Sequence, residues 1–353
     1  MDAPRAIIEV AGVDVRWNDL SEMRFENSLY LAADSFEATF RNDQYLSDWF
    51  RKQQEVKIYL GYVKNPAYWS KAELDHVFTG RVDGVKPSFG SSMTVQLLGR
   101  DYSAPLIDTE YSVAYAAQTS SQIAAILAGK YGLTPKVTAT TVIADKELLA
   151  DKKEWEVLQA LADLEGFVCY VTKDKELYFG PRQEADETVV AELYYLVSGA
   201  NCQIDFDDST VGVVNKVTVR HWLGKDKQLI EASAVNQQVL TAMGGQVKEK
   251  IVYESKAKTP ALAQMYAEKR LKEESRMVVT ASGICAGNPK MLAEKKVKVT
   301  GCGRFNETYY LEKITHELNK SAGYKCTFDI TSVRPDSAEQ YRQDLYDYKE
   351  KKI

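Results

Sequence analysis

The chain has 353 residues, of which 27% are charged, and its net charge is −5. Its hydrophobic fraction of 45% is ordinary for a globular protein, which excludes a chain that is disordered along most of its length. The length predicts two or three packed units, and the acidic balance argues against general binding to DNA or anionic lipid.

The distribution of charge, the apolar runs and the spacing of the cysteines indicate where the protein is made and what it does not bind. Residues 1–110 carry 17 acidic and 12 basic side chains, whereas the rest of the chain balances. No stretch has the pattern of a signal peptide or a membrane span, so neither is predicted. The five cysteines lack the close spacing of zinc ligands, which predicts reduced thiols, a cytoplasmic assembly route and no metal site.

The first part of the chain alternates apolar and polar residues in short runs, with the period of half-buried strands. Between Asn42 and Gln53 the pattern changes, because Leu46, Trp49 and Phe50 share one face of a helix. Several short strands with one helix predict a compact barrel or sandwich. The predicted strands cover residues 6–10, 12–15, 23–26, 35–41 and 56–62.

A long β-hairpin comes next in the chain. Residues 77–85 and 93–97 alternate as strands, and the turn between them contains the Pro, Gly and Ser that tight connections need. The hairpin ends at the corner formed by residues 99–103, since Gly and Asp favour turns.

Residues 118–179 predict a small α/β lobe. Thr119 or Ser120 begins a helix that Gly132 ends, and Asp151 begins a second helix that Gly166 ends. Residues 167–179 then form a short β-hairpin.

The remaining elements are predicted to form a second β unit. Residues 183–188 are polar and acidic, which is typical of a linker, and strand patterns resume at 212–222. Residues 223–245 are rich in Gly, Lys, Gln and Ala, which predicts a mobile loop. Thr259 followed by Pro260 begins a helix, and strands are predicted at 277–284 and 296–300.

A second long hairpin at 309–330 repeats the layout of the first. If Gly90 is set against Gly323, then Thr94 falls on Thr327, and Val95 and Leu97 fall on apolar residues as well, Phe328 and Ile330. This repeat predicts that the chain carries the same β unit twice, although two long hairpins also arise independently in β-rich proteins.

Three sequence features together resemble the late control protein D family, the hub proteins of bacteriophage tails and related contractile particles. They are the strand 78–82, the corner 99–106, and a closing run with Gly301, Gly303, Tyr310, Leu311, Ile314 and His316. The resemblance extends from about the first strand to Arg334 and depends on strand patterns and turn residues, not on a catalytic signature.

The fold class is therefore predicted as α+β, mainly β, with two similar tube-like antiparallel β-barrel domains and an inserted α/β lobe. The first barrel covers residues 1–110 and the lobe covers 111–183. The second barrel covers 184–335, with the mobile loop near 223–250 and the helix at 259–274. Residues 336–353 form a charged tail that suits a short amphipathic helix or a docking segment.

Residues that could carry chemistry are few. His76, His221 and His316 each stand in a strand pattern, where a single histidine is more often a packed or surface residue than a catalyst. Asp205, Asp207 and Asp208 could ligate a divalent ion, but the glycine and the final glutamate of a calcium loop are missing, so a solvated turn is favoured.

One further pair has two interpretations. Arg100 and Asp101 could form a catalytic ion pair, but a structural pair that locks the corner of the first barrel is favoured. We therefore predict no catalytic, cofactor-binding or metal-binding residues, and no enzyme.

The resemblance implies a homotrimeric baseplate hub that adapts a hexameric tail tube to a trimeric spike. Its implied partners are the tail tube protein, the spike protein, other baseplate proteins and the tape measure protein, with no membrane and no specific nucleic acid binding, although DNA passes through such a channel. The implied location is the tail tip of a virion or tailocin, after assembly in the bacterial cytoplasm. A cell-wall hydrolase and a β-rich receptor-binding module stay open as alternatives.

Overall fold

A computed structural model describes residues 2–28, 33–110, 118–141, 152–165, 167–181, 188–196, 199–209, 211–223, 228–254, 257–275 and 278–332. The protein is mainly β. The chain divides into two compact units. One contains residues 1–203, 283–298 and 311–329, and the other contains 204–282, 299–310 and 330–353.

The first seven strands form one continuous antiparallel array, which we name the first module. Its elements are β1 (Ala3–Val10), β2 (Val13–Val15), β3 (Leu20–Ser28), β4 (Ser35–Arg41), α1 (Leu46–Trp49), β5 (Glu55–Val63), β6 (Asp75–Ser88) and β7 (Thr94–Asp101). Neighbouring strands pair in the order β2-β1-β5-β6-β7-β4-β3. The predicted hairpin is therefore β6 and β7.

Alternation of buried side chains explains why these segments are strands. Val56, Ile58 and Leu60 of β5 are fully buried, while the residues between them are half-buried. Two glycines allow neighbouring backbones to approach closely, since a Cβ at Gly80 would collide with the carbonyl oxygen of Arg100, and one at Gly99 with that of Arg81.

Helices and short strands come after the first module, and we name them the lobe. Its elements are α2 (Ala104–Asp108), α3 (Ser120–Lys130), β8 (Thr134–Val137), α4 (Glu154–Glu165), β9 (Val168–Val171) and β10 (Glu176–Gly180). Thr119 and Gln122 form a capping box that begins α3. The strands pair in the order β8-β10-β9, and Ile123, Leu158 and Phe179 lie in the core of the lobe. The predicted cap at Asp151 and stop at Gly166 lie outside the described residues.

The described residues after the lobe contain ten strands and two α-helices. They are β11 (Val189–Leu196), β12 (Gly199–Ala200), β13 (Cys202–Asp207), β14 (Lys216–Leu223), β15 (Gln228–Val235), α5 (Gln237–Ala242), β16 (Glu249–Tyr253), α6 (Pro260–Glu274), β17 (Thr280–Ala286), β18 (Lys296–Thr300), β19 (Thr308–Asn319) and β20 (Gly323–Thr331). Strands β11 to β13 and β17 to β20 pair in the order β12-β11-β18-β19-β20-β17-β13 and are named the second module.

The two modules have the same strand order. If the strands of each module are numbered by their place in the chain, both arrays read 2-1-5-6-7-4-3. The predicted hairpin at 309–330 is β19 and β20, and Phe328 and Ile330 are buried as Val95 and Leu97 are. The duplication that the sequence indicated from two hairpins therefore extends to the complete strand order.

The two predicted barrels are not confirmed, because the paired strands form an open path within the described ranges. The ends of each array do not pair with each other, and β3 pairs with β19 instead. The structure supports a mainly β fold with large sheets, and the strands that it describes do not close into tubes.

Residues 223–250, predicted as a mobile loop, contain regular structure. Strands β15 and β16 pair with β14, and helix α6 packs on the sheet. Ile230 and Ala234 alternate as buried residues in β15, and because alanine is weakly hydrophobic this period was hard to see in the sequence. Helix α6 begins as predicted, with Thr259 as its cap and Pro260 at its first position.

Some predictions fall on segments that the structure does not describe. The predicted linker at 183–188 is described only at Thr188, and the predicted tail at 336–353 is not described. Among the helices that are described, none has the length and apolar character to cross a membrane.

Candidate assembly interface

The pairing of β3 with β19 shows how the two sheet arrays of one chain are joined. Seven residue pairs run from Ser28 opposite Lys313 to Glu22 opposite Asn319. The ladder carries polar contacts on its exposed face, since Lys313 Nζ lies 2.8 Å from a carboxylate oxygen of Glu26. The strand that ends the first array is thus covered by the second module.

The corresponding end of the second array is β13. Within the described part of the chain, β13 pairs with β17 alone. Its side chains alternate, so that Asp205 and Asp207 are exposed, whereas Ile204 and Phe206 are half-buried. A strand edge without a partner exposes backbone donors and acceptors, and it therefore invites pairing with another strand.

A matching free edge lies on β6. Strand β5 pairs with β6 only from Asp75 to Arg81, and Gln53 and Gln54 continue this contact to Val82. Beyond that point Gly84–Ser88 pairs with β7 on one side, and no described strand pairs with it on the other. Lys86, within this half of the strand, is exposed.

Backbone hydrogen bonds identify the same half-strand in the second module. Val82 N donates to Gln54 O at 3.0 Å, and Val82 O accepts from Gln53 N at 2.7 Å. Leu311 makes the same two bonds with Lys295 O and Glu294 N, both at 2.9 Å. Val82 and Leu311 therefore hold equivalent positions, and the free half of β6 corresponds to the half of β19 that pairs with β3.

The corner after β7 is held by Arg100, although not by the predicted pair with Asp101. Arg100 donates from Nε to Asp83 at 2.7 Å and from its two terminal nitrogens to Asp108 at 3.1 and 2.7 Å. Hydrogen bonds to Asp108 and Asp83 raise the pKa of Arg100. The Arg100–Asp101 pair was wrong because successive residues of a strand point to opposite faces.

Asp101 instead belongs to a buried carboxyl pair that the sequence did not indicate. Its Oδ1 accepts from Ser103 N at 3.0 Å and from Ser103 Oγ at 2.5 Å. Asp34, nearby, accepts from Asn27 Nδ2 at 2.6 Å and from Ser28 N at 3.0 Å. Burial raises the pKa of both carboxyls, and the negative charge of Asp34 raises that of Asp101 further.

The carboxyl pair lines a cavity of about 210 Å³ in the unit that contains residues 1–203. Trp155 and Lys173 also line it. Because residues that lie far apart in the chain meet here, no local pattern signalled the site. Burial and the negative charge of Asp34 disfavour a second charge here, so the site favours the protonated form of Asp101.

The three histidines lie on three different strands and form no common site. His76 Nε2 lies 2.9 Å from Thr79 Oγ1, and burial together with the nearby Lys173 lowers the pKa of His76. His316 is fully buried on β19, between Tyr324 Oη at 2.7 Å and Met291 O at 2.9 Å. His221 is half-buried on β14.

The three aspartates considered as ion ligands are spread along β13 and its end. Asp205 and Asp207 are exposed strand residues, and Asp208 forms an ion pair with Arg304 at 2.9 Å. Among the residues with a described position, no group of three or more His, Cys, Asp or Glu side chains is placed to hold a metal ion. The segment is a strand edge, not the solvated turn that was favoured.

The fold is shared with tail proteins of known structure. The tail protein from Neisseria meningitidis MC58 matches with a TM-score of 0.72 and 15% identity, over 97% of this chain and 99% of that one. The 43 kDa tail protein of prophage MuSo2 from Shewanella oneidensis matches with a TM-score of 0.71 and 18% identity, over 95% and 99%.

A protein of a secretion machine has the same fold. The E. coli c3393 protein, described as a component of the type VI secretion system with structural similarity to T4 bacteriophage tail proteins gp27 and gp5, matches with a TM-score of 0.57 and 14% identity, over 95% of this chain and 78% of that one. At these identities the matches show the fold alone.

The sequence also has a family assignment. The model of the family described as the Alg8 N-terminal domain matches residues 46–320, most of the chain, and the chain belongs to this family. No curated protein matches the sequence. The matches support the tail-protein fold that the sequence resemblance implied, and membership of the late control protein D family stays a proposal.

Proposed function

We propose that the protein is a structural baseplate hub of a contractile phage tail, a tailocin or a related injection particle, and that it acts as a trimer without catalysing a reaction. The observation that carries the proposal is the duplicated strand order, with one end of the array covered by β19 within the chain, whereas no described strand pairs with the outer edge of the equivalent end, β13. The shared fold with tail and secretion-system proteins supports it.

Duplication matters because it lets three chains present six similar modules. A tube built from hexameric rings and a spike with threefold symmetry do not match directly, and a trimer of duplicated modules fits both. Closure into a ring also pairs the open edge of β13 with the free half of β6 in the next copy, which removes two exposed strand edges. The function is then a matching of symmetries, with no bond made or broken.

The ladder between β3 and β19 predicts the register of the contact between copies. If Phe206 occupies the position of the buried Phe25, then Asp207 corresponds to Glu26, which faces Thr315. If β19 has the same irregularity that β6 has between Val82 and Gly84, counting from the equivalent residues Val82 and Leu311 sets Thr315 at the position of Lys86. The proposed contact therefore sets the exposed Asp207 of one copy opposite the exposed Lys86 of the next, and opposite charges at facing strand positions attract.

The partners that this role requires are the tail tube protein, the spike protein, other baseplate proteins and the tape measure protein. The proposed location is the tail tip of the assembled particle. The acidic excess of residues 1–110 fits the proposed lining of a channel, because negative charge repels the DNA or other anionic cargo that passes through it.

The oligomeric state tests the proposal. Native mass spectrometry of the purified protein, at rising concentration, is expected to give a trimer, and imaging of particles that contain it is expected to show threefold symmetry at its level. A protein that stays monomeric at high concentration and is absent from particles contradicts the proposal. A stable dimer contradicts the ring in particular.

A further inference from the structure

Two cysteines of the second module face each other next to a buried histidine. Hydrogen bonds between β17, β20 and their flanking residues give the register, since Gly287 N donates to Tyr324 O at 3.0 Å and Ser332 N donates to Val279 O at 2.8 Å. Both pairs belong to one antiparallel register, and this register places Cys285 directly opposite Cys326. Facing residues in such a ladder have Cα atoms roughly 4.5–5.5 Å apart, which lies within the span of a disulfide.

The surroundings of Cys326 favour its thiolate. Its sulfur lies 3.2 Å from His316 Nδ1 and accepts from Asn288 N at 3.4 Å. Since His316 Nε2 lies 2.9 Å from Met291 O, which only accepts, Nε2 carries a hydrogen. Nδ1 is then an acceptor, and it faces both Tyr324 Oη at 2.7 Å and the Cys326 sulfur at 3.2 Å. The neighbouring Cys285 thiol and His316 lower the pKa of Cys326, whereas the neighbouring Cys326 and burial raise the pKa of Cys285.

We infer that Cys285 and Cys326 are a redox-sensitive pair that hydrogen peroxide converts into a disulfide between β17 and β20, with His316 as the proton acceptor that activates Cys326. The inference does not depend on the proposed hub function. It assigns a modification site to the second module only, because residues 1–110 contain no cysteine.

The reaction balances with peroxide as the oxidant. The Cys326 thiolate attacks one peroxide oxygen and the O–O bond breaks, which gives a sulfenic acid and a hydroxide that takes the proton of His316 to become water. The Cys285 sulfur then attacks the Cys326 sulfur, the S–O bond breaks, and the hydroxide leaves with the Cys285 proton as a second water. One peroxide is reduced by two electrons, and two thiols become one disulfide.

The pair differs from the other thiols in its neighbours and not in burial alone, since Cys169 and Cys202 are buried as well. Cys285 and Cys326 are buried, so bulky alkylating reagents are expected to reach them only after unfolding, whereas Cys302 is half-exposed. Cys169 is also buried, and burial alone raises its pKa, which makes it a poor nucleophile. These two cysteines are internal controls for a reaction that depends on the facing pair.

The test is peroxide treatment of the full-length protein in its native state, followed by unfolding, alkylation and peptide mass spectrometry. The expected result is a joined peptide that links Cys285 with Cys326, with the loss of two hydrogens and with Cys169 and Cys302 still alkylated. In the Cys285→Ser variant the link is lost, and Cys326 is instead expected to proceed to sulfinic acid.

The pH dependence of the rate of disulfide formation tests the role of His316 in the unchanged protein. If His316 activates Cys326, the rate of disulfide formation stays nearly constant from about pH 6 to 9, whereas an ordinary thiol speeds up through about pH 8.5. In the His316→Gln variant the rate at neutral pH is expected to fall about 30-fold, because only about one in 30 molecules of an ordinary thiol is ionised at that pH. A link through other cysteines, or Cys302 oxidised while the pair stays reduced, overturns the site. An ordinary-thiol pH profile overturns the role of His316.

Discussion

The first and second modules share one strand order and differ in the segment that connects their third and fourth strands. In the first module β3 and β4 are separated by residues 29–34 alone, whereas in the second β13 and β17 are separated by a lobe built on β14, β15, β16 and α6. Strand β3 is paired along its outer edge by β19, and no described strand pairs with the outer edge of β13. A duplicated backbone order therefore does not duplicate the contacts at its edges.

The modules also differ in where their strands approach most closely and in the side chains that they bury. In the first module, Gly80 and Gly99 each lie against a carbonyl of the neighbouring strand, and Gly283 does the same in the second, against Gln203. The buried thiol pair and His316 belong to the second module alone. The close approach therefore lies between β6 and β7 in the first module and between β13 and β17 in the second, so the two modules place it at different strand pairs.

The largest expected effect comes from adding a methyl group where the strands of either module touch. Gly99→Ala and Gly283→Ala each place a Cβ against a neighbouring carbonyl and an aromatic ring, and we expect each to lower the free energy of unfolding by about 2–4 kcal/mol. Gly90→Ala is the matched control, since nothing lies near the added atom. Urea denaturation of the three variants measures the difference. Equal stability of Gly99→Ala and Gly90→Ala would show that the strands do not approach as described.

Charge reversal at the open edges tests whether β13 of one copy pairs with β6 of the next in the register that β3 and β19 have within one chain. Asp207→Lys alone and Lys86→Glu alone each put like charges face to face, and each is expected to weaken the trimer by about tenfold or more, or about 1.4 kcal/mol per contact. The double variant restores opposite charges and is expected to recover the trimer.

Sedimentation at several concentrations measures this effect. Asp43→Lys is a suitable control, since Asp43 is an exposed residue paired only with Arg41 two positions away. If both single variants assemble as the unchanged protein does, the proposed register is incorrect.

The buried carboxyl pair predicts a pH dependence for the first module. The pKa of Asp101 is higher in the folded state than in the unfolded state, so the folded protein binds more protons; this contribution to stability is fully present below about pH 4 and is lost as pH rises toward about 8. Asp101→Asn keeps an acceptor for Ser103 and removes the charge. We expect it to raise the free energy of unfolding by about 1–2 kcal/mol near pH 8, and to have no such advantage near pH 4.

Thermal unfolding across this pH range measures the effect, with Asp2→Asn as a control at an exposed carboxylate. A constant difference between Asp101→Asn and the unchanged protein at all pH values would mean that Asp101 does not titrate in this range.

The smallest expected effect is at the corner of the first module. Arg100→Ala removes hydrogen bonds to Asp83 and Asp108, and because all three side chains are at least one-third exposed, we expect a loss of about 1 kcal/mol. Arg41→Ala removes a single exposed pair and is expected to cost less than about 0.5 kcal/mol. Chemical denaturation that ranks the two variants in the opposite order would rule out Arg100 as the residue that holds this corner.

Much of the fold could be predicted from local patterns. Strand alternation identified both long hairpins, and capping residues located the start of α3 at Thr119 and of α6 at Pro260. These signals are short in range, since a side chain that alternates or caps a helix acts within a few residues. Where the apolar signal was weak, as in β15 with its alternating alanines, the same reasoning predicted a loop.

The candidate site could be predicted only in part. Asp205 and Asp207 were considered as ion ligands and assigned to a solvated turn, whereas the structure places them on strand β13, whose outer edge pairs with no described strand. Arg100 was correctly identified as a corner residue, but its partners Asp83 and Asp108 were not, because each lies on a different element. The sequence contains no information on pairs that only the folded sheet brings together.

The sequence by itself determined that the chain is mainly β, that two hairpins resemble each other, and where helices begin, because these depend on the period and chemistry of neighbouring residues. Only the tertiary structure decided that the resemblance covers seven strands in one order, that β3 ends against β19 while β13 stays open, and that Cys285 meets Cys326. Strand pairing joins residues separated by up to hundreds of positions, and which edges meet is settled by the packing of the whole sheet, not by any single segment.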